Sequence, residues 1–411
     1  MADVDTGDVA PGRTLGDGLM DANMNAAPQA VYAAMREHAP VIRVDEQSVM
    51  LTRHGDVMNA LRDPDLFSSD MDAVALGNVR PLIPLQIDPP DHLKFRKLLD
   101  PLFSPHEVAR LEAEVRRLTN ELIDGFVADG QVDLTAAFAV PLPCTVFLAL
   151  LGLPYEDLPR FLRIKDNIIR PPGMLGREAD EIRRQTAEEI YAYFEPVIEA
   201  RRAEPRDDLI SRFVVAEVEG HRLTTEDILD ICFLFLIAGL DTVTATLTCS
   251  VAYLAQHPDH RRALVDDPSL VPAAVEELLR WETPVPGVAR VCTRDVDIGD
   301  EHIEAGTRVF VLVGSANTDD SEFPDAEQVD FGRIGNRHLG FGAGIHRCLG
   351  SHLARLELRV ALEELHRRIP DYEIAPDTVL EYAEGLRSVD YLPLEFPPGG
   401  REDSRPQGSH A

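Results

Sequence analysis

The sequence predicts a mainly α-helical fold with a small antiparallel β region, built as a single large domain. Three observations predict it. Long stretches repeat apolar residues at the three-and-four spacing of a helix with one buried face. Strand-like runs are few, short and bounded by turn residues. No internal repeat and no Gly/Ser linker divides the 411 residues, 45% of which are apolar, enough for a large core.

The ends differ from the middle. Residues 1–20 are acidic and Gly-rich, and 398–411 (PPGGREDSRPQGSHA from Pro397 on) have the composition of a disordered tail, so the folded domain is expected over 21–397. Helices are expected in HEVARLEAEVRRLTNELIDGFV, in EIRRQTAEEIYAYFEPVIEARRAE and in TTEDILDICFLFLIAG, where Thr224 and Asp227 form a capping-box start. Strands are expected in APVIRVD, SVMLTRH, VARVCTRDVDIG, TRVFVLVG, YEIAP and YLPLEF.

The run from Ile231 to His257 is long enough for a membrane span, but Asp241 would sit near the bilayer centre and the flanks lack Lys and Arg. A buried core helix is the better reading, and no membrane span is expected. The N-terminus has no basic segment followed by an apolar core, so a cytoplasmic location is expected. The formal charge of -31 argues against nucleic acid as a partner, because a polyanion must be met by clustered Lys and Arg. Five widely spaced cysteines (Cys144, Cys232, Cys249, Cys292, Cys348) make neither a disulfide framework nor a Cys-x-x-Cys zinc site.

Chemistry concentrates in FGAGIHRCLG, Phe341 to Gly350. Cys348 stands just before a good helix, CLGSHLARLELRVALEELHRR, whose dipole and terminal N–H groups would favour a thiolate. Gly342, Gly344 and Gly350 would let the backbone approach a flat ligand, or would simply make a turn. In AGLDTV, Ala238, Asp241, Thr242 and Ala245 fall at i, i+3, i+4 and i+7 of the long helix, placing small residues, an acid and a hydroxyl on one face. The bland alternative is that Thr242 bonds back to a helix carbonyl and Asp241 pairs with an arginine. Glu277 and Arg280 can pair at i and i+3, and His92 and Arg96, four apart on a helix starting after Pro89 and Pro90, can point at one carboxylate.

Together and in this order, these motifs resemble the cytochrome P450 superfamily of soluble, bacterial-type haem-thiolate monooxygenases, over Pro28 to Phe396. Phe341, Gly342, Gly344, His346, Cys348 and Gly350 match the family's haem-binding loop. The resemblance implies the cytochrome P450 fold and haem b with Cys348 as the iron ligand, an axial thiolate that favours O–O cleavage. It implies that Asp241 and Thr242 deliver protons to bound O2. It implies a structural Glu277–Arg280 pair joined by Arg333, with Arg337 the less favoured third member, and haem propionate contacts from His92, Arg96, Arg290 and His346. SANTDD departs from the family's Ala-Asn-Arg-Asp-Pro at Thr318 and Asp320.

The reaction implied is insertion of one oxygen atom of O2 into a C–H bond of a hydrophobic lipid, terpenoid, steroid or macrolide-like molecule. Leu234, Ala238, Val285 and Val288, with MDAVALGNVRPLIPLQ and IIRPPGML, are the candidate pocket walls. Nothing in the chain resembles a flavin or iron–sulfur domain, so a separate ferredoxin and its NAD(P)H-dependent ferredoxin reductase are expected to dock near Arg347, Arg355, Arg359 and Lys97, on a monomer. A peroxide-driven peroxygenase and a non-catalytic haem sensor or carrier remain as alternatives; the Asp241–Thr242 pair speaks against the first.

Overall fold

The computed structural model describes residues 27–70, 80–171, 177–383 and 385–401. The expected N-terminal segment, most of the tail, and parts of the two loop walls at 71–79 and 172–176 lie outside the described residues.

The chain opens with α1 (Pro28–His38), β1 (Val41–Asp45), β2 (Ser48–Leu51), α2 (His54–Arg62) and β3 (Phe67–Ser68). A helical block follows: α3 (Asp91–Leu99), α4 (Pro105–Ala109), α5 (Glu112–Asp124), then β4 (Gln131–Asp133), α6 (Pro141–Leu151), α7 (Leu158–Ile169), α8 (Arg177–Ala203) and α9 (Leu209–Val215). After the small hairpin β5 (Glu217–Val218) and β6 (His221–Arg222) come α10 (Thr225–Gln256), α11 (Pro258–Asp266) and α12 (Val271–Trp281). The rest comprises β7 (Val288–Cys292), β8 (Val296–Ile298), β9 (Glu301–Ile303), β10 (Arg308–Val311), α13 (Val313–Ala316), α14 (Ser351–Arg368), β11 (Glu373–Ile374) and β12 (Pro393–Glu395). The single helix expected over HEVARLEAEVRRLTNELIDGFV is broken between α4 and α5, where Arg110 and Leu111 donate three residues back instead of four.

The largest sheet runs β1-β2-β10-β7-β3. The β region is small and mainly antiparallel, as expected, with one parallel pair, β2 with β10. Parallel neighbours need a long crossover, and here the whole helical block lies between Leu51 and Arg308. A second, antiparallel sheet runs β11-β12-β4 and closes the C-terminal end.

α10 organises the core. Its start is fixed as expected: the Thr224 hydroxyl accepts from the Asp227 N–H, and the Asp227 carboxylate accepts from the Thr224 N–H. Its first half packs Ile231, Phe233 and Leu236 with Phe161 of α7 and Ile190 and Phe194 of α8. Its second half packs Leu247, Val251 and Leu254 with Leu278 of α12 and Val360 of α14. Each such side chain, fully removed from water, contributes about 1.5–3 kcal/mol. α10 is long and apolar enough to cross a membrane, but 78% of that apolar stretch is buried inside the protein. The exception lies mid-helix, where Ala238 and Gly239 are exposed and Thr242 is half-buried.

Candidate functional site

The open face of α10 and the loop before α14 define the site. That loop is fastened at both ends. Asn317, fully buried, accepts from the Leu339 N–H at 2.6 Å and donates to the Thr283 hydroxyl at 2.7 Å. Glu277, equally buried, takes two bonds from Arg280 (2.9 and 2.8 Å), two from Arg333 Nε (3.0 and 3.1 Å), one from Asn336 (2.9 Å) and one from the Asp330 N–H (3.0 Å). Burying that many charges is tolerable only because every carboxylate oxygen and most guanidinium protons are satisfied. Arg333 is thus the third member of the Glu277–Arg280 cluster, while Arg337 points outward to Glu322 at 2.9 Å. At the SANTDD departure, Arg36 of α1 donates to the Ser315 and Thr318 carbonyls at 2.8 and 2.6 Å.

Gly342 and Gly344 adopt φ of +66° and +68°, conformations open to glycine, and Gly344–His346 forms a tight 3₁₀ turn. A Cβ on Gly344 would collide with the Leu61 carbonyl oxygen of α2. That glycine is therefore required by close packing of the turn on α2, in line with the turn reading. The turn brings the Cys348 N–H to the Phe341 carbonyl at 2.8 Å. Cys348 is the exposed cysteine; the other four are buried. Its thiol pKa is pushed up by the protein crowded around it, against which work the Gly350 N–H and the charges of Arg96, Arg347 and Arg355.

Three polar groups beside this loop are incompletely satisfied among the described residues. The rings of His92 (α3) and His346 lie 4.4 Å apart, and the Nε2 atoms of both are buried without a hydrogen bond among the described residues. Burial, then Arg96, holds His92 down at about 4; burial, then His92, Arg290 and Arg96, holds His346 at about 3. Arg290 on β7 is 5% exposed, and its guanidinium bonds to the neighbouring Ala289 carbonyl at 2.7 Å with no carboxylate partner among the described residues. Burial lowers its pKa to about 10. A buried cation without a counter-ion and two buried imidazoles with an unbonded nitrogen, among the described residues, are costly by themselves and fit a bound cofactor that carries acidic groups. Arg96 is less free: its Nε pairs with Asp100 at 2.7 Å and its NH1 donates to the Arg347 carbonyl at 2.9 Å.

On α10 the structure divides the predicted face. Thr242 lies on the open side with Ala238 and donates to the Ala238 carbonyl at 2.8 Å. Asp241, 3% exposed, points to Lys165 of α7, its Oδ1 2.7 Å from Nζ, while its Oδ2 is buried without a hydrogen bond among the described residues. Burial disfavours the Lys165 charge, but Asp241 and Asp166 outweigh it and raise the ammonium pKa. Sequence reasoning missed Lys165, although a lysine on the apolar face formed by Phe161, Ile164 and Ile168 is a visible signal. It also missed His338, Glu276 and Asn317, which carry no local signal of their own. Of the pocket candidates, Leu234 is buried, Ala238 exposed, and Val285 and Val288 half-buried.

Known proteins resemble this chain in sequence and in fold. The Cytochrome P450 family profile matches residues 155–369. The chain is similar to Cytochrome P450 130 of Mycobacterium tuberculosis, 39% identical over 86% of this chain and 91% of that protein. It is 37% identical to the Mycinamicin IV hydroxylase/epoxidase of Micromonospora griseorubida, over 89% of this chain and 94% of the relative. The solved structure of CYP109Q5 from Chondromyces apiculatus superposes with a TM-score of 0.84 at 34% identity, covering 92% of this chain and 97% of that one. The chain belongs to the cytochrome P450 family and is an enzyme of its oxidoreductase class, a monooxygenase acting on hydrophobic small molecules.

Proposed function

We propose that this enzyme inserts one oxygen atom of O2 into a C–H bond of a lipid, terpenoid, steroid or macrolide-like substrate, with Cys348 as the protein ligand to haem b. The observation that carries this reading is the exposed thiol of Cys348 beside a buried Arg290 that has no carboxylate partner and the buried Nε2 atoms of His92 and His346 that have no hydrogen bond, among the described residues. Bound haem supplies the binding and reductive activation of O2, chemistry no side chain here can perform.

The chain's own residues do the rest. Arg290, with His92, Arg96 and His346, would neutralise and orient the cofactor's two carboxylates. Ala238 and Gly239 would leave room beside α10 for the cofactor and substrate, and Leu234, Val285 and Val288 would keep the space apolar and dry. The Thr242 hydroxyl, now donating to the Ala238 carbonyl, needs only a rotation about its side chain to present its proton to the open face. Asp241, held by Lys165 through one oxygen, keeps the other free to take up a proton and pass it on.

Electrons would come from NAD(P)H through a ferredoxin reductase and a ferredoxin docking on the cysteine side of a monomer. Within the basic group expected there, Lys97 is paired with Glu219, Arg355 with Glu276, and Arg359 with Glu112 and Glu363. Arg347 is exposed and lacks a carboxylate partner among the described residues, so it would carry the docking charge.

The test is the absorption spectrum of the reduced protein under carbon monoxide. A Soret band far to the red, lost in Cys348→Ala, is expected; a colourless protein, or a nitrogen-type band, would overturn the assignment. Product formed with reductant and O2 but not with hydrogen peroxide separates the monooxygenase from the peroxygenase.

A further inference from the structure

Two consecutive glutamates of α12 point to different parts of the cysteine loop. Glu277 holds Arg280 and Arg333, as described. Glu276 accepts from His338 Nε2 at 3.0 Å and from Arg355 Nε and NH2 at 2.6 and 2.8 Å, a two-point grip on a guanidinium.

His338 is enclosed, its side chain 2% exposed. Its Nδ1 accepts from the Gly340 N–H at 3.1 Å, so Nε2 carries the proton given to Glu276. Arg355, from the first turns of α14, lays its guanidinium 4.3 Å from the centre of the Phe341 ring, and the His338 ring lies 5.9 Å from the same ring. Phe341 in turn accepts the Cys348 N–H through its carbonyl. A continuous chain therefore runs from Glu276 through Arg355 and Phe341 to the backbone of Cys348. The charge sequence reasoning placed in a docking patch is turned inward, and its field reaches the Cys348 thiol.

We propose that Glu276, His338 and Arg355 are positioning residues for Cys348, a second clamp that fixes the Phe341 ring and sets the electrostatic environment in which the sulfur donates to iron. This rests on Cys348 being the iron ligand. Glu276 and Arg355 oppose each other: the guanidinium favours the more electron-rich reduced state, and the carboxylate tempers it.

Spectroelectrochemical titration of the haem-loaded protein tests this. Arg355→Gln removes a positive charge and is expected to move the midpoint potential negative, whereas Glu276→Gln leaves Arg355 uncompensated and moves it positive. Arg355→Lys keeps the charge but loses the fork and the stacking. It is expected to hold a potential close to that of the parent while losing the thiolate-type carbon monoxide band at a lower temperature. A purely structural clamp would not give shifts of opposite sign. Shifts of the same sign, or unchanged potentials, overturn the proposal. Should Arg355→Gln fail to take up haem, Arg355→Lys decides alone: unchanged thermal loss of the band refutes the clamp. A parent protein without the thiolate band refutes the ligand assignment itself, so the two failures are distinguishable.

Discussion

Two glycines measure the difference between the two sides of the site. Gly344, in the cysteine loop, has φ of +68° and no space for a Cβ, because the Leu61 carbonyl occupies it. Gly239, on the open face of α10, has helical backbone and nothing among the described residues within 4 Å of a Cβ. The same contrast holds for polar groups. On the cysteine side, Glu277 alone takes six hydrogen bonds from Arg280, Arg333, Asn336 and Asp330. On the α10 side, Thr242 folds back on its own helix and Asp241 leaves one oxygen unpartnered among the described residues. One side is over-determined and fixes the backbone around its thiol; the other is left bare, which is what the proposed entry of substrate and movement of protons would require.

The largest effect should come from removing the charge at the centre of the crowded side. Glu277→Gln leaves Arg280 and Arg333 buried without a counter-ion and is expected to cost about 3–5 kcal/mol, a large part of the roughly 5–15 kcal/mol that stabilises a typical domain. Urea denaturation checks it; a loss under about 1 kcal/mol would mean the loop is held by other contacts.

Acid should come next. The Glu276 carboxyl is buried, which alone would raise its pKa, but His338 and Arg355 pull it down to about 2. A group whose pKa is lower in the folded state adds stability above its unfolded pKa and loses it as pH falls through the folded one. About 2–3 kcal/mol should therefore vanish between roughly pH 4.5 and 2. Glu276→Gln should flatten that part of the stability-versus-pH curve; an unchanged slope would show that other carboxylates govern acid unfolding.

The glycines give the smallest effects, of opposite sign. Gly344→Ala, strained in backbone and blocked by Leu61, is expected to lose about 1–3 kcal/mol. Gly239→Ala should gain about 0.5–1 kcal/mol, because alanine is the better helix former and meets nothing. The added methyl projects into the open face, so bulky apolar ligands should bind less tightly, as read by the ligand-induced spectral shift. If Gly239→Ala destabilises the protein, the open face is not the unfilled space described here.

Much of this was legible in the sequence because its signals are local. The capping box at Thr224 and Asp227, the apolar periodicity of α5, α8 and α14, and the short strands each depend on neighbours within a turn or two. Arg333 rather than Arg337 could be read from its position. The break at Arg110 and the parallel pairing of β2 with β10 were not legible. The first is a local change in hydrogen bonding within a continuous apolar pattern, and the second joins strands more than 250 residues apart. The shared face of Asp241 and Thr242 followed from helical spacing, but the side-chain directions did not. Lys165, 76 residues earlier, drew the carboxylate away.

What the sequence determined by itself is the inventory and the order: a helical domain, a lone thiol ahead of a helix, and acids, bases and glycines at spacings that name a family. Tertiary structure decided which of those groups are satisfied by protein and which remain unpartnered. Burial makes that distinction energetic, since a charge in water needs no partner and a charge in the interior must find one. Apart from Arg280, three residues from Glu277 on the same helix, the partners of Glu276, Glu277 and Asp241 come from helices and loops distant in the chain, and only packing brings them together.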